Sequence, residues 1–169
     1  VPNGEFIDNF NPLESWRGFQ EGNAVQYTFF VPQHPYRLIE KVGKEEVNNR
    51  LDSIFTEARK SIFGGGKITY AFAGVESPYN HGNQPSLHIP WLFNFSGKPY
   101  LTQKWTRLIC DEFYGTNGEH GYGYGQDEDQ GQLGAWYVMA AMGLFDVQGG
   151  SCERPTFQIG SPLFDKIEI

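Results

Sequence analysis

Cysteine is scarce: the 169-residue chain holds only Cys110 and Cys152. They lack the short spacings of a zinc site or a dithiol redox motif, so both classes drop out. Cys110 falls among Leu108, Ile109 and Phe113, where a buried thiol is expected. Long apolar runs are also missing, and with no stretch of about 18 apolar residues no membrane-spanning helix is expected. Basic residues are few, 13 Lys and Arg against 20 Asp and Glu, and they do not cluster. The net charge of -7 therefore argues against nucleic acid, whose binding needs several neighbouring cations. It leaves carboxylates for a bound cation. The opening Val1-Pro2-Asn3-Gly4 is neither basic nor apolar, unlike a signal peptide, and the missing initial Met fits a processed or excised piece.

Aromatic residues are plentiful: 14 Phe, 9 Tyr and 4 Trp. With 39% hydrophobic residues they indicate a folded domain with a sizeable core. Any single ring is first a core filler and only second a sugar platform.

Residues 1–18 read as an irregular lead-in, and 21–30 as a short helix stopping before Pro32. Gln33-His34-Pro35 reads as a loop. The clearest helix runs over 44–62, where Val47, Leu51, Ile54, Phe55, Ala58 and Ile62 recur at spacings of three and four. Gly64-Gly65-Gly66 ends it. After a polar loop over 67–82, Ser86 is a candidate N-cap for a helix over 87–95. Pro99 opens a helix to about Tyr114, and a glycine-rich loop follows to Gly131. A last helix over 132–142 is apolar nearly all round and is expected to be deeply buried, with Gly143 as its cap. From Thr156 the pattern turns strand-like through Phe157, Ile159 and Ile167.

Loops of this length inside a compact domain usually carry function. Three polar clusters stand where loops meet helices: 20–23, 81–86 and 126–132. If those helix ends lie together, the clusters converge on one pocket. Glu21 and the pair Asp127 and Asp129 supply the two carboxyl groups that glycoside hydrolysis needs, one to protonate the leaving oxygen and one to activate water. Alone, Glu21 reads more readily as a first-turn helix acid, and Asp127-Glu128-Asp129 as a solvated acidic loop.

Taken as phrases, the clusters become specific. Glu21-Gly22-Asn23-Ala24 with Gln26-Tyr27 resembles the E-G-N-A-x-Q-Y motif of glycoside hydrolase family 92. Gly82-Asn83-Gln84-Pro85-Ser86 with His88-Ile89 resembles that family's G-N-E-P-S-x-H-I motif. Asp127-Glu128-Asp129, Gly131-Gln132 and Ala135-Trp136-Tyr137-Val138 are similar to its D-E-D-x-G-Q-x-x-A-W-Y-V motif, and Gly143-Leu144-Phe145 and Ile159-Gly160-Ser161-Pro162 continue the likeness.

The resemblance implies a mainly α fold: part of an (α/α)6 toroid, built from antiparallel helix hairpins, over residues 1–150, and the start of a C-terminal β region over 151–169. It implies an inverting exo-alpha-mannosidase acting on mannose-containing glycans with a calcium ion (Ca2+). By motif, Glu21 would be the general acid, Asp129 the general base and Asp127 its assistant. Asn83 and Gln84 would lie at the metal, and His88 and Gln132 near the metal or the sugar. The parent would carry an N-terminal β-sandwich partner domain and would be secreted, periplasmic or cell-surface. Two departures stand out. Gln84 replaces a frequent Glu, removing a charge from the calcium site, and Val31-Pro32-Gln33-His34-Pro35 stands where the family more often has Pro-His-Asp. The competing reading is a non-catalytic carbohydrate- or calcium-binding helical module. About five of a toroid's twelve helices are expected here, so the chain by itself is expected to show little or no activity.

Overall fold

The computed structural model describes residues 4–5, 7–65, 72–115, 128 and 130–168. The fold is mainly helical, as expected. In chain order it has α1 (Ala24–Thr28), α2 (Pro35–Val42), α3 (Lys44–Arg59), two 3-10 turns (Gln84–Ser86 and Ile89–Trp91), α4 (Phe93–Ser96), α5 (Pro99–Glu112) and α6 (Gln132–Met142). A two-residue strand β1 (Leu144–Phe145) pairs antiparallel with β2 (Gln158–Ile159), Leu144 opposite Ile159 and Phe145 opposite Gln158. None of the helices among the described residues is long and apolar enough to cross a membrane.

α3 buries Val47, Leu51, Ile54, Phe55 and Ala58 along one stripe, as its periodicity requires. Its first turn carries Glu45 and Glu46 and its last Arg59, the arrangement that the helix dipole favours. The helix ends at Arg59 rather than at Ile62. The chain then bends through Ile62 and Phe63, both at positive φ (52° and 54°), while the Phe63 N–H bonds the Ala58 carbonyl at 2.8 Å. Gly64 follows at φ 86°, and a Cβ there would stand 3.0 Å from the Asn80 Cα. This bare backbone lets the 78–82 segment lie across the end of α3, where the His81 N–H bonds the Phe63 carbonyl at 2.8 Å.

α3 and α5 run side by side in the same direction. The Trp105 indole N–H bonds the Asp52 carboxylate at 2.8 Å, and one helical stretch further along Arg59 forks onto Glu112. The α5–α6 pair is antiparallel, because the Tyr114 hydroxyl at the end of α5 reaches the Leu133 carbonyl at the start of α6 at 3.0 Å. Parallel helices of alternate rank, linked by antiparallel partners, are what a segment of an alpha/alpha toroid contains. Between α3 and α5 lies the aromatic core. The Phe55 ring stacks on Trp105 at 5.4 Å and meets Tyr79 at 4.6 Å and Phe93 at 6.1 Å. Ser96 and Asn48, both buried, join α4 to α3 through a 2.6 Å hydrogen bond.

Several sequence expectations need correction. Gln33 and His34 form the expected loop, but Pro35 opens helix α2 instead of ending that loop, since it fills the first helical turn, where its missing N–H costs nothing. The helix expected over 87–95 is instead the 3-10 turn Ile89–Trp91 and the single turn α4. Pro90 cannot donate inside an α-helix, and Ser86 ends the 3-10 turn Gln84–Ser86 rather than capping a helix. The helix expected over 21–30 shrinks to α1 because Asn23, not Glu21, caps it. α6 has the expected ends, with Gly143 at φ 74° and a Cβ there only 2.8 Å from Pro162. It is not buried all round. Leu133, Trp136, Ala140 and Ala141 are buried, whereas Val138 is 56% exposed. Cys110 is a buried free thiol, its pKa pushed up to about 12 mainly by burial.

Candidate functional site

Asn23 organises the first polar cluster. Its side-chain oxygen accepts from the N–H groups of Val25 (3.0 Å) and Gln26 (3.1 Å), capping α1. Its amide nitrogen donates to the Val75 and Ser77 carbonyls, each at 2.9 Å. Gln26, also buried, donates to the Gly74 (2.9 Å) and Ser77 (2.7 Å) carbonyls. Two residues of the first phrase therefore hold the 74–77 loop, which leads straight into the second phrase. Their function is to join the two clusters, a role that no spacing in the sequence discloses.

Glu21 is exposed and sits at φ 53°, in the left-handed region that a non-glycine residue enters at a cost of about 1–2 kcal/mol. Both carbonyls flanking its Cα are bonded. The Tyr27 hydroxyl donates to the Gln20 carbonyl at 2.7 Å, and the Asn83 amide nitrogen donates to the Glu21 carbonyl at 2.8 Å. Gly22 packs beneath, and a Cβ on it would come within 2.7 Å of Gln26 Oε1 and 3.0 Å of the Tyr27 ring. Burial, and after it the charge of Glu21, raises the Tyr27 pKa, so the phenol stays protonated and remains a donor. The first and second clusters thus meet at the Glu21 backbone.

Asn83 is buried, and its nitrogen is committed to Glu21, which leaves its Oδ1 as the atom that can ligate a cation. Gln84 next to it is half-buried. Amide oxygens are hard donors of the kind calcium takes, so the residues fit that ion by donor type, but they bring no charge. Among the described residues no group of three or more His, Cys, Asp or Glu is placed to hold a metal. His88 is buried, with Nε2 2.8 Å from the Phe29 carbonyl and its ring 5.9 Å from that of Phe30. Gln132 is exposed at the first position of α6.

Asp127 and Asp129 lie outside the described residues. Glu128 between them places its carboxylate 3.0 Å from the Gly134 N–H, in the first turn of α6, where it satisfies an orphan donor and the helix dipole favours its charge. The middle acid of the third phrase is thereby occupied as a cap.

The first residue of the second cluster, His81, has no role assigned by the sequence. His81 is fully buried, with Nδ1 2.7 Å from the Tyr79 hydroxyl and Nε2 2.8 Å from the Tyr114 hydroxyl. Tyr114 donates onward to the Leu133 carbonyl, so its oxygen accepts from His81 Nε2–H, and Nδ1 accepts from Tyr79. The Trp136 ring packs 4.3 Å from His81, and the Trp136 indole N–H bonds the Leu87 carbonyl at 2.9 Å. This chain of bonds ties the second cluster to the start of α6. The signal was the Tyr-x-His spacing just ahead of the second phrase.

Burial lowers the His81 pKa to about 3 and that of His88 to about 4, the latter opposed in part by the Phe29 and Pro85 carbonyls. Both are neutral when folded, while the unfolded chain takes up protons near the ordinary value of about 6.5. The stability this neutrality confers is complete above that value and is lost as pH falls toward the folded pKa values. Unfolding stability is expected to drop by about 2–3 kcal/mol for the pair between about pH 7.5 and about pH 5.5. Urea unfolding at the two pH values measures it, and an unchanged midpoint would contradict the buried neutral state of these rings.

The model of the Glycosyl hydrolase family 92 catalytic domain matches residues 1–169. A family GH92 alpha-mannosidase from Bacteroides thetaiotaomicron superposes with TM-score 0.72 at 33% identity, over 94% of this chain and 19% of that one. The same enzyme in complex with mannoimidazole superposes with TM-score 0.72 at 31% identity, over 95% of this chain and 21% of that one. A further GH92 family glycosyl hydrolase, ccman5, shares the fold with TM-score 0.71 at 24% identity, over 93% of this chain and 23% of its own. The chain thus spans about a fifth of the length of these solved structures. No match is found among curated proteins.

Proposed function

Since the chain belongs to glycosyl hydrolase family 92, its catalytic-domain model matching from end to end, we propose that it carries the acid-bearing side of an inverting exo-alpha-mannosidase site. The observation that carries this reading is the 2.8 Å bond from Asn83 to the Glu21 carbonyl, which brings two of the three motif clusters to one place. Glu21 protonates the leaving glycosidic oxygen. Asp129, with Asp127 orienting the water, takes the proton of the nucleophile from the opposite face of the ring, and inversion requires the two carboxyl groups to stand about 6.5–9.5 Å apart. Gln132, exposed at the start of α6, contacts the sugar. His88 serves the site by anchoring the Phe29–Phe30 turn.

Asn83, through Oδ1, and Gln84 would hold calcium. When bound, the ion contacts sugar hydroxyls and favours a distorted ring. The substrate is a mannose-containing glycan with a free non-reducing end, a reading supported by the neighbouring alpha-mannosidase and its mannoimidazole complex.

The test is mannose release by the full-length protein from linkage-defined mannosides, with the anomer of the first-formed product read by NMR. The expected result is β-mannose, with turnover suppressed by a chelator and restored by calcium, and a calorimetric calcium titration that Asn83→Ala weakens. Sugar binding without turnover would favour a carbohydrate-binding module, and α-mannose as first product would remove the inverting assignment.

A further inference from the structure

We propose that Tyr27 and Asn83 are positioning residues that clamp the two peptide carbonyls on either side of Glu21 and hold it in the left-handed backbone conformation that aims its carboxyl group. The inference rests on the reading of Glu21 as the general acid. The geometry behind it is a set of four coincident facts. Glu21 is a non-glycine residue at φ 53°. The carbonyl before it, that of Gln20, accepts from the Tyr27 hydroxyl at 2.7 Å. Its own carbonyl accepts from the Asn83 amide at 2.8 Å. The next residue is a glycine, whose missing Cβ leaves room for the Tyr27 ring and the Gln26 amide to pack against the turn.

A left-handed L-residue persists only where its surroundings over-determine it, and such residues gather where a side chain must be aimed. Here the surroundings are two side chains from different parts of the chain. Tyr27 belongs to the same phrase as Glu21, on α1. Asn83 comes from the second cluster, 62 residues on. Without the clamp, the peptides at 20–22 would relax toward the broad right-handed and extended regions, and the Cα–Cβ direction of Glu21 would swing with them. A displaced acid loses most where proton donation to the leaving oxygen limits the rate, because misplacement of about 1 Å costs about 10²-fold.

That dependence supplies a readout that a merely structural role would not move. In the full-length protein, turnover is compared on an alkyl alpha-mannoside, which needs an acid, and on 2,4-dinitrophenyl alpha-mannoside, whose leaving group departs without one. Tyr27→Phe removes a single hydroxyl and no metal ligand. It is expected to lower kcat on the alkyl mannoside by about 10- to 100-fold, with a loss at least about tenfold smaller on the dinitrophenyl substrate. Asn83→Ala, assayed at saturating calcium, should show the same asymmetry, and Glu21→Ala the largest.

Equal losses on both substrates for Tyr27→Phe, with the thermal midpoint unchanged, would overturn the clamp. So would an Asn83→Ala loss that is equal on both and fully restored by added calcium, since that is the signature of a metal ligand alone. If Glu21→Ala itself shows no leaving-group dependence, the acid assignment fails and the clamp falls with it. If Glu21→Ala shows the dependence and the other two variants do not, the acid assignment stands and only the clamp is wrong.

Discussion

Glu21→Gln is expected to lower kcat on an unactivated alpha-mannoside by about 10²- to 10⁴-fold, the range that a positioned general acid contributes. The substitution keeps the length and shape of the side chain and removes the transferable proton. Its effect on folding should be small, because the contacts that fix residue 21 are made to main-chain carbonyls and not to the carboxyl group. KM should change little, and the thermal midpoint should stay within about a degree or two, as is usual for an exposed substitution of this kind. The comparison with an aryl mannoside that has a good leaving group isolates the role, since the loss should shrink as the leaving group becomes more acidic. Retention of full activity on the alkyl substrate would remove Glu21 from the mechanism, and a matching fall in thermal stability would reduce it to a structural residue.

Trp136→Ala carries the largest expected effect on stability. Trp136 is 2% exposed, lies parallel to Tyr114 at 5.9 Å, packs against His81 at 4.3 Å and donates to the Leu87 carbonyl. Truncating a buried tryptophan costs about 3–5 kcal/mol through lost burial and the cavity left behind. Total stabilities of about 5–15 kcal/mol make that a large fraction. Trp136→Phe keeps most of the ring but leaves the Leu87 carbonyl without its donor, and should cost less, about 1–3 kcal/mol. Urea unfolding of the two variants measures both values. A loss below about 1 kcal/mol for the alanine variant would mean that α6 is not held by this contact. The expected order matters for function as well. Trp136 and the His81 bonds fix the start of α6, where the third motif enters, so the alanine variant should also lose activity on both classes of mannoside alike.

Much of this could be read from the residues in order. The stripe from Val47 to Ala58 is buried as its spacing dictates, and the periodicity from Pro99 onward and the glycines at 131 and 143 give α5 and α6 close to their ends. Such signals are local, because one turn of helix sets the face of the next. Where local signals compete, the sequence misleads. Pro90 breaks the apolar run from Leu87 to Phe95 into a 3-10 turn and the single turn α4, while α2 hides behind Pro35 because a proline reads as a loop until its place in the first turn is known. The apolar composition of α6 implies contacts on every side, yet among the described residues only one side is covered, so burial could not be inferred from composition alone.

For the site, the sequence by itself determined the chemical inventory: one acid in the first phrase, amides in the second, acids in the third, and the family that uses them in that order. Only the tertiary structure decided what each residue touches. It set Asn83 on the Glu21 carbonyl, turned Asn23 and Gln26 into the supports of the 74–77 loop, drew Glu128 onto the start of α6 and locked His81 between two tyrosines. For the long-range bonds the physical reason is the same. Residue type and spacing fix which bonds a side chain can make, but a hydrogen bond between positions about 30–60 residues apart depends on where packing of the core brings the backbone. The left-handed turn at Glu21 is the sharpest instance, since nothing in a glutamate predicts it and its two flanking carbonyls are bonded by Tyr27 nearby and by Asn83 62 residues on.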